Sequence, residues 1–436
     1  MAKKAKKECS PEERLAAARV PKEEWPYELP EGWEWVTGHA IFESMESQKP
    51  EGEIFRYIDI DSIDNRNQRV VEPKVLRVDE APSRARRKVH SGDTVFSMVR
   101  PYLKNIAYID ETLNDCIAST GFFVCKPSGF VNSKFLYWMM VSPYVVDGLN
   151  RYMKGDNSPS IRKDDVENYK YPLPPLKTQQ RIVDHIESLF AKLDQAKEKA
   201  QQALATSESR KAAILHQAFT GQLTAHWREE NGVSMDSWEE MALKDCGKWN
   251  GGGTPSMQHP EYWEDGDILW ISSKDMKSDE IEDTMMYVNM VGVENSSAKY
   301  IEEPSLLFVT RSGILRRTLP IAMVKQPFTV NQDLKVLTPR QGIDLAYLFW
   351  VCKAHEQKML KTCMKSGTTV ESINFSALKQ FEVPIASVKE QQEIVRILDT
   401  LMANERRIQQ AVETILQQID DTKKSILAKA FRGEWQ

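Results

Sequence analysis

Two stretches of the chain, about 177–219 and 389–431, contain neither Gly nor Pro and are rich in Gln, Glu, Lys, Ala and Leu. Each predicts one long helix, preceded by a Pro-containing segment or strand-like run and stopped by Gly221 or Gly433. At 1.5 Å per residue, such a helix is roughly 65 Å long. Apolar residues recur along both at every seventh position. In the second helix Leu398, Val412, Ile419 and Ile426 share one heptad position, interrupted by Glu405, while Leu401, Ile408 and Ile415 share another. In the first, the matching positions are Ile186, Leu193, Ala200 and Ile214, with Leu189, Ala196 and Ala203. Small residues in the middle of one helix therefore face bulky ones in the other, which suits close packing between the two. Ahead of each helix the pattern changes to short β-type runs, such as IFRYIDI (54–60), TVFSMV (94–99), GFFVCK (121–126) and SLLFVT (305–310). A helix-like segment, FLYWMMVSPYVVDGL (135–149), interrupts them.

The chain repeats itself. PLPPLKTQQRIV at 172–183 returns as PIASVKEQQEIV at 384–395, an offset of 212. At that offset Ile214, Leu215, Ala218, Phe219 and Gly221 become Ile426, Leu427, Ala430, Phe431 and Gly433. FLYW (135–138) aligns with YLFW (347–350), and Gly155, Ser160 and Ile161 with Gly367, Ser372 and Ile373. Near the start the offset drifts to 205, where GWEW (32–35) faces SWEE (237–240). The period is far longer than that of a solenoid repeat. It marks a duplicated domain of α+β class, each copy a mixed α/β domain followed by a long α-helix. The expected division is an N-terminal tail (1–28), a first mixed domain (29–175), a central helical spacer (176–221), a linker (222–236), a second mixed domain (237–387) and a C-terminal helical spacer (388–436).

The first helix leads away from the first domain. For the second to bury its stripe on the first, it has to run back, so the pair is expected to be antiparallel, with the two mixed domains held apart by a helical spacer. The alternative is two separate amphipathic helices, each lying on its own globule. An exposed apolar stripe of that length would be an aggregation liability, which favours the pair.

At 436 residues the chain is too long for a single core, and its 41% hydrophobic content excludes wholesale disorder. The absence of any run of about 18 apolar residues argues against a membrane span. The start, MAKKAKKECSPEE, is basic with no apolar segment behind it, so it is not expected to be a secretory signal; a tail is expected there, with a short helix over EERLAAARV (12–20) docking near the C-terminus or on a partner. Six cysteines without a C-x-x-C pair point to reduced thiols and a cytoplasmic protein. The net charge of −5 gives no global attraction to nucleic acid, so any such interface must rest on local patches.

Catalytic motifs are missing from the sequence. It has no G-x-x-x-x-G-K-[ST], no H-E-x-x-H, no G-x-S-x-G and no [DN]-P-P-[YF] segment of the amino-methyltransferase type. The seven histidines are isolated, as expected of surface or core residues, and no metal site is expected. Asp64, Glu72 and Lys74 have the spacing of a nuclease pattern, but that spacing is common by chance and Pro73 sits inside it.

Positive charge is clustered in two places. Residues 84–104 hold Arg84, Arg86, Arg87, Lys88, Arg100 and Lys104 against one carboxylate, Asp93; the corresponding part of the second copy holds Arg311, Arg316 and Arg317 with no acid from 304 to 326. Cations of this kind neutralise phosphates, and Arg and Asn can read base edges. A solvated charged surface is the plain alternative, but recurrence in both copies favours DNA. Candidate contacts therefore include Asn105 and Lys274. To these are added two polar turns just before the long helices, KGDNSPSIRK with Lys154, Asn157, Ser158 and Arg162, and KSGTTVESIN with Lys365, Thr368 and Thr369, where free N–H groups can meet phosphates.

These residues carry a resemblance. GDTVFSMVRPYLKNIAYID (92–110) with IASTGFFVCKPS (117–128) resembles the first target-recognition domain of Type I restriction–modification specificity subunits. GGTPSMQHPEYWEDGDILWISSKDM (252–276) and TVNQDLKVL (329–337) resemble another recognition domain of that family, and the two Gln-Gln segments resemble its helical repeat regions. The similarity covers roughly 29–436. Leu269, where relatives usually carry Pro, and ILRRTLPIAMV (314–324), in place of a Gly-rich, Lys-containing loop, depart from the pattern and bear on base preference in the second domain.

The resemblance implies a DNA-specificity subunit that is not itself an enzyme. Each recognition domain would read one half of a bipartite, asymmetric double-stranded DNA target, and the helices would set the unread spacer. It also implies two methyltransferase subunits docked on the helices, with S-adenosylmethionine bound there and no cofactor on this chain. A restriction subunit using ATP and Mg would complete the assembly. Two other readings stay open at this point: a protein–protein scaffold with a coiled-coil rod, and a nuclease or methyltransferase in its own right.

Overall fold

The computed structural model describes residues 10–365 and 370–435; the basic start of the chain and the candidate contacts Thr368 and Thr369 lie outside the described residues. The chain forms two units, residues 1–200 with 413–436 and residues 201–412.

In the first unit, strand Thr94–Ser97 lies between Phe122–Cys125 and Ile106–Tyr108, antiparallel to both. All four residues of Thr94–Ser97 and of Phe122–Cys125 are buried, so both strands are covered on both faces; only Phe122–Cys125 is a continuous apolar run, while Thr94 and Ser97 are buried polar residues. A second sheet has the order Lys74–Arg77, Ile54–Ile58, Ile117–Ser119, Ala85–Lys88, with its two middle strands parallel. Strand Glu34–Thr37 pairs with Lys170–Leu173, placing Trp35 opposite Pro172. The helix Ser133–Val141 starts at Asn132, whose side chain accepts the N–H groups of Lys134 and Phe135.

The second unit repeats this register. Strand Ser305–Val309 lies between Leu334–Pro339 and Ile321–Val324; Val309 faces Leu334 as Ser97 faces Phe122, each pair displaced by 212. Ile268–Ile271 runs parallel to Phe328–Val330 as Ile54–Ile58 does to Ile117–Ser119. Glu240 faces Pro384 as Trp35 faces Pro172, which preserves the offset of 205 at the start of the domain. Two additions separate the copies. Strand Gly247–Gly251 extends the main sheet of the second unit. The basic strand Ala85–Lys88 has no counterpart among its described strands.

One buried glutamine locks each long helix to its domain. Gln179 receives the Asn132 N–H and donates to the carbonyls of Phe130 and Pro174. Gln391 receives the Asp344 N–H and donates to Gly342 and Ala386, in each case the position 212 residues on. These are the first glutamines of the repeated Gln-Gln pair. Their amides are fully hydrogen-bonded where water cannot reach, so the motif is explained by packing geometry.

The predicted first helix is divided at Thr206 into Leu176–Ala205 and Ser207–Phe219, whereas Val388–Arg432 is continuous over 45 residues. Within the first unit Lys423 pairs with Asp194 at 2.5 Å and Lys197 with Asp420 at 3.3 Å; one number falls as the other rises, so the helices are antiparallel. Within the second, Glu405 takes a two-pronged bond from Arg210, at 2.9 Å through both Nε and Nη2. Arg210 also donates to Ala203 O and Thr206 Oγ1 where the helix is divided.

The seam differs from the predicted one. In the last helix Leu398, Met402, Glu405, Val412, Ile419, Ile426 and Ala430 are buried, Leu401 is half-buried, and Ile408 and Ile415 are 43% exposed. The second stripe therefore follows the first by four residues, not three. Since 3.6 residues make a turn, positions three and four residues on fall on opposite flanks, and the flank of Ile408 and Ile415 faces solvent. In the first helix Ile186, Phe190, Ala200, Ser207 and Ala218 are buried, with Leu189, Leu193 and Ala203 half-buried and Ala196 exposed. Ala196, Ile408 and Ile415 are thus removed from the packing set, and Phe190, Met402 and Ala218 join it.

The short helix expected near the start spans Pro11–Ala18, closed by a reciprocal Ser10–Glu13 capping box. Its Arg14 pairs with Glu43, and downstream the Tyr27 hydroxyl donates to the Phe431 carbonyl at 2.8 Å, tying this segment to the last helix. The linker contains the helix Ala225–Asn231, whose Arg228 meets the buried carboxylate of Glu390 at 2.6 Å; Thr224 and Trp238 also donate to Glu390.

Candidate nucleic-acid interface

The basic segment of the first unit divides between two places. Arg86, Arg87 and Lys88 are half-buried on strand Ala85–Lys88, with Arg84 exposed just before it. The Arg86 Nε donates to the Ser83 carbonyl at 3.3 Å. Arg100 and Lys104 bracket the short turn Pro101–Leu103. Asn105 is only 5% exposed, in the strand-to-strand connection, where its carbonyl accepts the Ser97 N–H. Hairpin formation draws it inward, so it is not at the surface as expected of a contact residue. Asp93, the one acid of the segment, is also buried. It accepts the His90 N–H, and burial raises its carboxyl pKa to about 6.

Arg100 and Lys104 both have left-handed backbones, with φ of 48° and 56°. A residue with a Cβ adopts this region at a cost, and two of them around one turn indicate a conformation imposed by its surroundings. The imposing contacts are clear. The Arg100 N–H donates to Pro159 O, its Nη2 to Asn157 O at 2.8 Å, and the Ile161 N–H to Met98 O. The polar turn is closed by a Lys154–Ser160 bridge, with Gly155 at φ 99°. The structure therefore brings two separately predicted segments together: the Arg100–Lys104 turn and the Lys154–Arg162 turn. Lys154, Asn157, Ser158 and Arg162 are exposed there.

The second unit builds the same junction. The Ser312 N–H donates to Glu371 O and the Ile373 N–H to Thr310 O, the positions of Arg100–Pro159 and Ile161–Met98 displaced by 212. The Lys365 N–H donates to Ser372 O as the Lys154 N–H does to Ser160 O, although the bridge beside it joins Met364 and Ile373. Arg311, Arg316, Arg317 and Lys365 are exposed around it. Arg316 differs from the first copy in being held by Glu371 at 2.5 Å, which keeps the Glu371 carboxyl below its usual range. Lys274 is exposed on a separate turn capped by Asp275.

Two residues at these junctions escaped a search for charge. Tyr102 is 45% exposed on the first turn, and Ile314, 212 positions later, is 43% exposed on the second. The repeat offset alone would have paired them. The nuclease-like trio does not converge: Lys74 pairs with Asp59, while Asp64 is bonded to Asn67. Cys116, Cys125, Cys246, Cys352 and Cys363 are free and buried, and burial raises all five thiols, Cys116 to about 11, away from nucleophilic thiolate. Among the described residues no group of three or more His, Cys, Asp or Glu could hold a metal, and no helix is long and apolar enough to cross a membrane.

The arrangement is thus a pair of similar surface junctions, each combining a turn fixed by backbone hydrogen bonds with exposed cations. Comparison with known proteins gives a consistent picture. A family model described as "Type I restriction modification DNA specificity domain" matches residues 33–205 and 235–414. The EcoR124I/EcoR124II specificity subunit of Escherichia coli is 40% identical over 161 residues, 37% of this chain and 40% of that protein. The MjaIX specificity subunit of Methanocaldococcus jannaschii is 32% identical over 41% of each chain, so these two matches span about two fifths of the relatives' lengths. The HindI specificity subunit of Haemophilus influenzae is 24% identical over 78% of this chain and 87% of that protein. Among solved structures, a chain from work on "complex assembly and conformational transition of the type I R-M system" matches with a TM-score of 0.78 and 26% identity, covering 94% of this chain and 100% of that one. The HsdS subunit from Thermoanaerobacter tengcongensis matches with a TM-score of 0.67 and 25% identity, over 94% and 99% of the two chains.

Proposed function

The chain belongs to the Type I restriction modification DNA specificity family, and on that premise we propose that it is the subunit that chooses the DNA sequence for a Type I restriction–modification enzyme. Each mixed domain reads one half of a bipartite, asymmetric duplex target through its turn–turn junction. The antiparallel helices set the number of unread base pairs between the halves and dock two methyltransferase subunits. The chemistry belongs to those partners: S-adenosylmethionine on the methyltransferases, ATP with Mg on a restriction subunit, and no cofactor on this chain, which acts without catalysing in the cytoplasm.

The observation that carries this reading is the recurrence of one junction in two diverged copies. In each, exposed cations stand on or beside a turn tied by backbone hydrogen bonds to the segment just before the domain's last short helix. Arg84, Arg100, Lys104, Arg311 and Arg317 can neutralise phosphates, which sets orientation and affinity, while base-edge contacts set sequence. The side chains at the two junctions differ, so the two half-sites differ. The test is footprinting of the chain assembled with its methyltransferase subunits on target DNA. Two protected patches with a gap between them support the reading. A single continuous patch, or none, refutes it.

A further inference from the structure

We infer that Tyr102 and Ile314 are the base-reading tips of the two domains, each placing an apolar surface against base edges while the cations beside it hold phosphates. This rests on the DNA-reading role proposed above and assigns it to particular side chains. A single exposed apolar residue is ordinary on a protein surface. These two occupy the same position, 212 residues apart, in copies whose turns otherwise share little sequence. Both stand outward on short helical turns, Pro101–Leu103 and Gly313–Arg316, with 45% and 43% of their surface exposed.

Each turn is fixed, and cations stand on or beside it: Arg100 and Lys104 at the first, Arg311 and Arg317 at the second, where the Glu371 carboxylate already pairs with Arg316. The first is held between the left-handed residues Arg100 and Lys104 and tied to Pro159 O; the second is tied to Glu371 O. Sequence on either side carries no carboxylate from 94 to 109 or from 304 to 326. A rigid apolar tip between cations matches a nucleic-acid groove, where phosphate rows flank base edges of mixed polarity. The neighbouring residue separates the copies: Leu103 is 40% exposed, whereas its counterpart Leu315 is 1% exposed. The first tip is therefore broader.

The chemistry of the tips differs in a readable way. Ile314 has no side-chain donor or acceptor, so it distinguishes bases through the thymine C5 methyl or by wedging at a base step. Tyr102 can do the same with its ring and can also offer a hydroxyl. Arg100, with one Nη donating to Asn157 O, serves to position the first turn.

The experiment is selection from a synthetic duplex library with randomised positions, using the full chain assembled with its methyltransferase subunits. Variants are Tyr102→Ala, Tyr102→Phe, Ile314→Ala and, as a phosphate-contact comparison, Lys104→Ala. Tyr102→Ala is expected to lower discrimination by about five- to a hundredfold at one or two base pairs of one half-site, leaving the other half-site intact. Tyr102→Phe should retain most of that discrimination, and Ile314→Ala should alter only the opposite half-site. Lys104→Ala should weaken binding alike for every sequence. If Tyr102→Ala and Ile314→Ala return the unaltered consensus, the tips do not read bases and the inference fails. The same result with weakened subunit assembly would assign them to a protein contact and also overturn it. Failure of the unaltered chain to select any two-part consensus would instead overturn the DNA-reading role itself.

Discussion

Phe431, in the last turn of the C-terminal helix, meets Phe135 of the first domain edge to face, with ring centroids 5.2 Å apart and planes at 62°. In the second unit Phe219 meets Tyr347 in the same way, at 5.5 Å and 73°. By sequence each helix belongs with the domain before it. In both units, however, the domain core is closed by the final turn of the other copy's helix. Leu427 and Ala430 join Phe431 in one core, and Ala218 joins Phe219 in the other. Neither domain is complete within its own repeat.

Phe431→Ala and Phe135→Ala are each expected to destabilise the first unit by about 3–5 kcal/mol, from lost burial and the cavity left behind. Because the rings touch, the double variant should lose less than the two single losses added together. Hydrogen exchange resolved by peptide, with urea titration, would measure this; strict additivity would contradict the pairing.

The four-residue phase of the helix seam separates two substitutions that the sequence pattern treats alike. Met402→Asp places a carboxylate in the buried seam of the second unit and should cost several kcal/mol, on the order of the largest single-site effects. Ile408→Asp lies on the exposed flank and should change stability by no more than about 0.5 kcal/mol. Equal losses at both positions would restore the three-residue phase.

Asp93 gives a pH signature. Burial raises its carboxyl from 3.8 to about 6, so between those values the folded state holds a proton that the unfolded chain has released. The stability tied to that proton is fully present below about 3.8 and is lost as pH rises through about 6. Asp93→Asn keeps an oxygen for the His90 N–H and carries no charge to desolvate. It should raise stability at neutral pH by about 1–3 kcal/mol and flatten the pH dependence in that window. Urea titration across the window checks both effects. A variant less stable at neutral pH, with the slope unchanged, would contradict the assignment.

The duplication was legible in sequence because its offset of 212 is preserved through most of the paired features: the Gln179 and Gln391 locks, the register of the main-sheet strands and the principal hydrogen bonds of the two junctions. The phase of the seam was not. Leu401, Ile408 and Ile415 form as good an apolar row as the true one, and only the packed partner decides which flank is covered. Charge counting found the cations of the junctions but passed over Tyr102 and Ile314, whose exposure depends on turn geometry. It also included Asn105, which the hairpin buries. Strand Ala85–Lys88 illustrates the same limit: Arg86, Arg87 and Lys88 read as free surface charge, yet pairing with Ile117–Ser119 leaves them half-buried.

On the function proposed above, two readers select two half-sites while the helix pair sets the gap. The most direct measurement is sequencing of methylated bases in a host carrying this chain together with the methyltransferase subunits proposed as its partners. The unaltered chain would be compared with a variant bearing four extra residues in the helix Leu176–Ala205. Four residues add about 6 Å of helix, between one and two base pairs of duplex. Both half-sites should persist with a longer gap; altered half-sites at the original spacing, or one continuous target, would contradict the claim.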